Sequence, residues 1–132
     1  MIWNFDNDRP IYTQIIEHMK FFIISSELKP GSKLASVRDL ASEAGVNPNT
    51  MQRALAELER TELVYSNRTS GRFITEDEDI IKMTKNEVAE KNIQLFLDNM
   101  KKIGYDKNET LSLLENYKKG DENNEWYYFA VH

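Results

Sequence analysis

Ser36-Val37-Arg38-Asp39-Leu40-Ala41-Ser42-Glu43-Ala44-Gly45-Val46-Asn47-Pro48-Asn49-Thr50-Met51-Gln52-Arg53-Ala54-Leu55-Ala56-Glu57-Leu58-Glu59-Arg60 reads as two helices joined by a tight turn. Ser36 is an N-cap residue, and Asp39 three positions on completes a capping-box pattern. Val37, Leu40, Ala41 and Ala44 recur at helical spacing and predict one buried face. Gly45 stops the first helix, because it takes positive φ at little cost. Asn47 caps the second, and Pro48 occupies its first position, where a missing N–H does no harm. Met51, Ala54, Leu55 and Leu58 form the inward stripe. Asn49, Gln52, Arg53 and Ala56 are left together on the outer face.

Two short helices around a glycine turn, the second with a polar outer face, make a helix-turn-helix. Asn, Gln and Arg can form paired hydrogen bonds to base edges in a major groove. An ordinary αα-hairpin with a solvated face has the same spacing, so the flanks decide between the two.

Upstream, Met1 to Arg9 reads as an irregular lead-in anchored by Trp3 and Phe5. Pro10 opens a helix running to about Glu27. Its core face is Ile11, Ile15, Met19, Phe22 and Ile23, widened by Ile16 and Ile24. His18 has no His or Cys partner in ligand spacing, so it reads as structural. Leu28-Lys29-Pro30-Gly31 is a turn. Lys33-Leu34-Ala35 is a short extended lead into Ser36.

Downstream, Leu63-Val64-Tyr65-Ser66 and Arg72-Phe73-Ile74-Thr75 read as strands around the polar turn Asn67-Arg68-Thr69-Ser70-Gly71. A hairpin with arginines about its tip, directly after a helix-turn-helix, is a wing. Arg68, Thr69, Ser70, Gly71 and Arg72 are its candidate contacts to a phosphate backbone or minor groove.

The charge balance is uneven. The net charge of −5 argues at first against a nucleic-acid partner. Residues 1–75 carry nine basic and nine acidic side chains and hold every arginine. Residues 76–132 carry eight lysines against thirteen carboxylates, which accounts for the whole deficit. For a groove binder the local distribution matters more than the total.

Glu76-Asp77-Glu78-Asp79 reads as a solvated linker, and its spacing does not match a calcium loop. The expected division is therefore a winged helix over 1–76 and a helical region over 77–132. Thr84 to Ile103 reads as a helix capped by Thr84 and Glu87 and ended by Gly104. Asp106 and Glu109 start another, closing at Gly120. Ala89 opens an apolar stripe that runs on through Ile93, Phe96, Leu97, Met100 and Ile103. Leu111, Leu113, Leu114 and Tyr117 are the apolar positions of the second helix. Two such helices cannot bury these stripes on each other alone, so a second copy of the chain is the expected cover. The aromatic stretch Trp126 to His132 either packs across that dimer or frays.

The chain has no cysteine, no histidine pair in metal spacing, no nucleophile elbow and no glycine-rich phosphate loop. Neither an enzyme, a metal site nor a cofactor is expected. No apolar run is long enough to span a bilayer, and Met1 to Asp6 does not look like a secretory signal, so a cytoplasmic location is expected.

Taken together, Pro10-Ile11-Tyr12-x-Gln14-Ile15, Leu28-x-Pro30-Gly31-x-Lys33-Leu34, Ser36 to Ala41, Gly45 to Thr50 and Arg53-Ala54-Leu55-x-x-Leu58 resemble the winged-helix domain of the GntR family of bacterial transcription regulators. The short helical tail resembles its YtrA-type branch. The resemblance implies a mainly α fold with a small β-wing and a dimeric repressor of a palindromic operator in double-stranded DNA, often for transporter genes. It implies DNA contacts from Ser36, Arg38, Asn49, Thr50, Arg53 and the wing around Gly71. The exposed-face reading adds Gln52, and Asn47 stands beside that face as the cap. Ala35 departs from the family, which usually has proline there. The competing reading is a winged helix that binds protein instead of DNA.

Overall fold

The computed structural model describes residues 1–118. Its elements in order are α1 (Ile11–Ile24), α2 (Val37–Ala44), α3 (Pro48–Arg60), β1 (Val64–Asn67), β2 (Gly71–Ile74), α4 (Glu78–Lys102) and α5 (Lys107–Asn116). This is the expected mainly helical chain with a small antiparallel wing. It falls into two compact units, Met1–Val88 and a second that starts at Ala89.

The first unit is built on α3, which packs against both α1 and α2. Ile15, Met19, Phe22 and Ile23 of α1 meet Leu40 and Ala41 of α2 and Met51, Ala54, Leu55 and Leu58 of α3. Leu63, Val64 and Ile74 close this core at the root of the wing. Ile11 is exposed instead of buried, and Gln14 is buried in its region of the helix. The reason is the lead-in. Gln14 Oε1 accepts from the Asp6 amide at 2.7 Å, and its Nε2 donates to the carbonyls of Asp6 and Arg9. Trp3 and Phe5 flank the His18 ring, whose Nε2 accepts from the Asn4 amide. His18 is thus a structural fastening.

α1 ends at Ile24 and not near Glu27, because Ser26 turns the chain with φ +64°. The turn between α2 and α3 follows the sequence reading. Gly45 has φ +71°, and the Val46 amide reaches back to the Ala41 carbonyl at 2.9 Å. A Cβ at Gly45 would meet no atom within 4 Å, so only backbone strain opposes a side chain there. Gly45→Ala should therefore lower stability by about 1 kcal/mol in a thermal melt, from left-handed strain partly offset by a stiffer unfolded chain. An unchanged melting curve would mean that the turn relaxes to another conformation.

In the wing, Val64 pairs with Ile74 and Asn67 with Gly71. A third extended segment lies against β2. Lys33 bridges Phe73, the Leu34 amide donates to the Arg72 carbonyl, and the Ile74 amide donates to the Ser32 carbonyl.

The run Glu76 to Asp79 is only partly a linker. Asp77 caps α4, its Oδ1 accepting from the amides of Asp79 and Ile80, and Glu78 and Asp79 form the helix's first turn. Carboxylates suit the positive end of a helix, and Ile80 and Ile81 pack on the core, so the helix starts six residues before Thr84. Thr84 does not cap it. It lies buried within α4 and donates its hydroxyl to the Ile80 carbonyl at 2.9 Å.

In the second unit, Gly104 (φ +99°) follows α4, and the Asp106–Glu109 capping box starts α5 as expected. α5 ends at Asn116; Gly120 and the aromatic stretch from Trp126 lie outside the described residues. Ile93, Phe96, Ile103, Leu111, Leu114 and Tyr117 are all exposed, while Leu97 and Met100 are half-buried.

Candidate nucleic-acid interface

Three pieces of the first unit carry the predicted contacts. The first is the start of α2. Ser36 Oγ accepts from the Asp39 amide at 3.1 Å, which fixes the cap despite Ala35 standing before it. Arg38, the second residue of α2, is exposed and makes no ion pair or hydrogen bond among the described residues.

The second piece is the outer face of α3. Asn47 is committed to its cap, with Oδ1 accepting from the Asn49 amide at 2.8 Å. Asn49, Gln52 and Arg53 are exposed, and Thr50 is half-buried beside the inward stripe. Arg53 is not without a partner, as its outer-face position suggests. Its guanidinium lies over the Tyr12 ring of α1, 4.8 Å from the centroid. Helical spacing within α3 carries no information about a neighbour on another helix, so this contact was invisible to the periodicity.

The third piece is the wing tip. The Thr69 amide and hydroxyl both donate to Asn67 Oδ1 at 3.1 Å, and Gly71 turns the chain at φ +101°. This leaves Arg68 exposed at the tip and unpaired among the described residues. Arg72 differs. It is a β2 residue, and its Nε donates to Glu59 Oε1 of α3. Ser66 Oγ donates to the same oxygen at 2.6 Å. Burial pushes the Glu59 carboxyl up, but the Ser66 and Arg72 hydrogen bonds and the arginine's charge outweigh it and hold it below its usual range.

These pieces meet in part. Ser36 and Val37 line one open groove of about 680 Å³ with Ser70, Gly71 and Arg72. Lys33 lines it too, with its Cε facing Gly71. The sequence reading did not place Lys33 in this groove, because its position beside Gly71 depends on the bridge to Phe73.

The arginines sort by chemistry. Arg9 pairs with Glu17, Arg60 with Glu57 and Arg72 with Glu59. The other three, Arg38, Arg53 and Arg68, have no carboxylate partner among the described residues, and each sits on one of the three pieces. Exposed arginines without an acidic partner are available to phosphates and base edges.

A family model described as "Bacterial regulatory proteins, gntR family" matches residues 11–74, from α1 through β2. The uncharacterized HTH-type transcriptional regulator YhcF of Bacillus subtilis (strain 168) is 36% identical over 116 residues, which cover 88% of this chain and 96% of YhcF. The HTH-type transcriptional repressor YtrA of the same organism is 46% identical over 68 residues, 52% of each chain. Among solved structures, a GntR family transcriptional regulator from Listeria monocytogenes superposes with a TM-score of 0.76 at 38% identity, covering 86% of this chain and 100% of that one.

Proposed function

Since the chain belongs to the gntR family of bacterial regulatory proteins, a family of transcription regulators and not of enzymes, we propose that it is a dimeric repressor reading a palindromic operator in double-stranded DNA. The observation that carries this reading is the set of unengaged side chains. Arg38, Asn49, Gln52 and Arg68 are exposed without a hydrogen bond or ion pair of their side chains among the described residues, at the positions where a winged helix meets DNA. Asn49, Gln52 and Arg53 read base edges, with Ser36, Arg38 and Thr50 beside them. Arg68, Thr69, Ser70 and Gly71 steady the wing on the backbone. Two half-sites are bound at once through a second copy, joined by the exposed apolar face from Ile93 to Tyr117.

No helix among the described residues is long and apolar enough to cross a membrane. A cytoplasmic regulator follows from this reading, and likeness to the YtrA-type branch makes transporter genes the first operators to try.

Titration of the protein against DNA from the promoter of its own operon, and against scrambled DNA, tests the reading. Operator should bind more tightly, and affinity should fall steeply as salt rises. Arg68→Ala should weaken both DNAs about equally and reduce the log–log salt slope by about 0.9. Binding that ignores both sequence and salt would point to the protein-interaction reading instead.

A further inference from the structure

One carboxylate joins the reading helix to both strands of the wing. Ser66 of β1 and Arg72 of β2 are register partners, so their side chains lie side by side on one face of the hairpin. Both donate to Glu59 Oε1, which projects from the last turns of α3. The Glu59 and Arg72 side chains are only 30% and 21% exposed, so water screens the pair less than it screens an ordinary surface contact. The same pair places a negative charge beside an arginine on the wing, next to a groove that Arg72 itself lines.

We infer that Glu59 is a positioning residue, which fixes the wing on the recognition helix and removes Arg72 from the charges that meet DNA. This rests on the DNA-binding reading above and refines it. The wing's angle to α3 is set before DNA arrives, because one oxygen holds both strands at once. The hairpin tip then delivers Arg68 alone, and Arg72 serves as a strut. The carboxylate also keeps non-specific attraction down, since it neutralises the wing arginine that it holds.

Two variants of the full chain test this, each titrated against operator and scrambled DNA over a salt series with melting curves alongside. Glu59→Gln keeps an acceptor oxygen and removes the charge. It should bind scrambled DNA more tightly and steepen the salt slope by up to about 0.9, as the freed Arg72 gains a phosphate. The double variant Glu59→Gln/Arg72→Gln removes the pair without changing net charge. It should return to the parent's slope, a result that loosening of the wing alone would not give.

A double variant whose slope is about 0.9 shallower than the parent's would show that Arg72 meets a phosphate and would overturn the inference. So would a folded Glu59→Gln protein with the parent's slope. If Glu59→Gln does not fold, the double variant decides by itself. A parent protein that binds neither DNA overturns the DNA-binding reading and this one with it; a parent that binds operator while the variants behave in the wrong way overturns this one alone.

Discussion

Phe96→Glu should convert the protein from a dimer to a monomer and lower its operator affinity by about 10²–10⁴-fold, the range lost when two linked binding events become separate. Phe96 is 40% exposed on α4, with Ile93 (57%) also open on that helix and Ile103 (69%) open just past its end. Leu111 and Leu114 of α5 are open as well. Soluble monomers seldom leave so many large apolar side chains exposed within one short stretch, and a second copy would cover them. A glutamate there would bring a charge into an apolar contact, where desolvation makes it costly. Light scattering should report twice the chain mass of 15.5 kDa for the parent and the single mass for the variant. Phe96 is not part of the first unit's core, so the melting of that unit should change little. A parent that is already monomeric at micromolar concentration, or a variant that remains dimeric with full affinity, would remove this interface.

Arg53→Ala should cost about 1–3 kcal/mol of operator affinity, the usual worth of an arginine at a base edge. The Tyr12 contact changes what is expected of stability. A cation–π pair at an exposed site contributes about 0.5–1 kcal/mol, so the variant should also melt slightly lower. Tyr12→Leu removes the ring face, keeps the arginine and so separates the two effects: it should melt slightly lower while binding operator like the parent. Gln52→Ala is the companion measurement. An uncharged amide adds little to phosphate attraction, so its loss should relax sequence preference more than it weakens scrambled DNA. All three variants would be titrated at one fixed salt concentration. Operator binding unchanged in both Arg53→Ala and Gln52→Ala would mean that the reading face lies elsewhere. A large drop in melting temperature for either would make the residue structural.

What could be read from the sequence was what is local. Ser36, Gly45, Asn47 and Pro48 each act on atoms within a few residues, so the two helices and their turn were fixed by short-range chemistry. The Asp106–Glu109 box was legible for the same reason. The start of α4 was not, because a run of carboxylates suits a solvated linker and a helix's first turn equally well. Only the packing of Ile80 and Ile81 on the core chooses between them, and that is a tertiary fact. Among the candidate contacts, position along α3 and the wing could be read, and engagement could not. Arg53 meets Tyr12 of α1 and Arg72 meets Glu59 of α3, each on another element whose placement is set by packing. The same dependence hid Lys33, whose place beside Gly71 depends on a strand pairing formed only after the chain has returned.

That pairing also bears on the order of folding. β1 and β2 join through a tight turn and can meet early, since a hairpin closes quickly. The bridge from Lys33 to Phe73 closes a loop that contains the whole helix-turn-helix, and its entropy is recovered only once α2 and α3 are compact. The edge of the wing is therefore expected to form late, when the start of α2 comes to lie beside the wing tip. A chain without that bridge would carry the wing tip and the start of α2 as separate pieces, so the groove they share is complete only when the domain is.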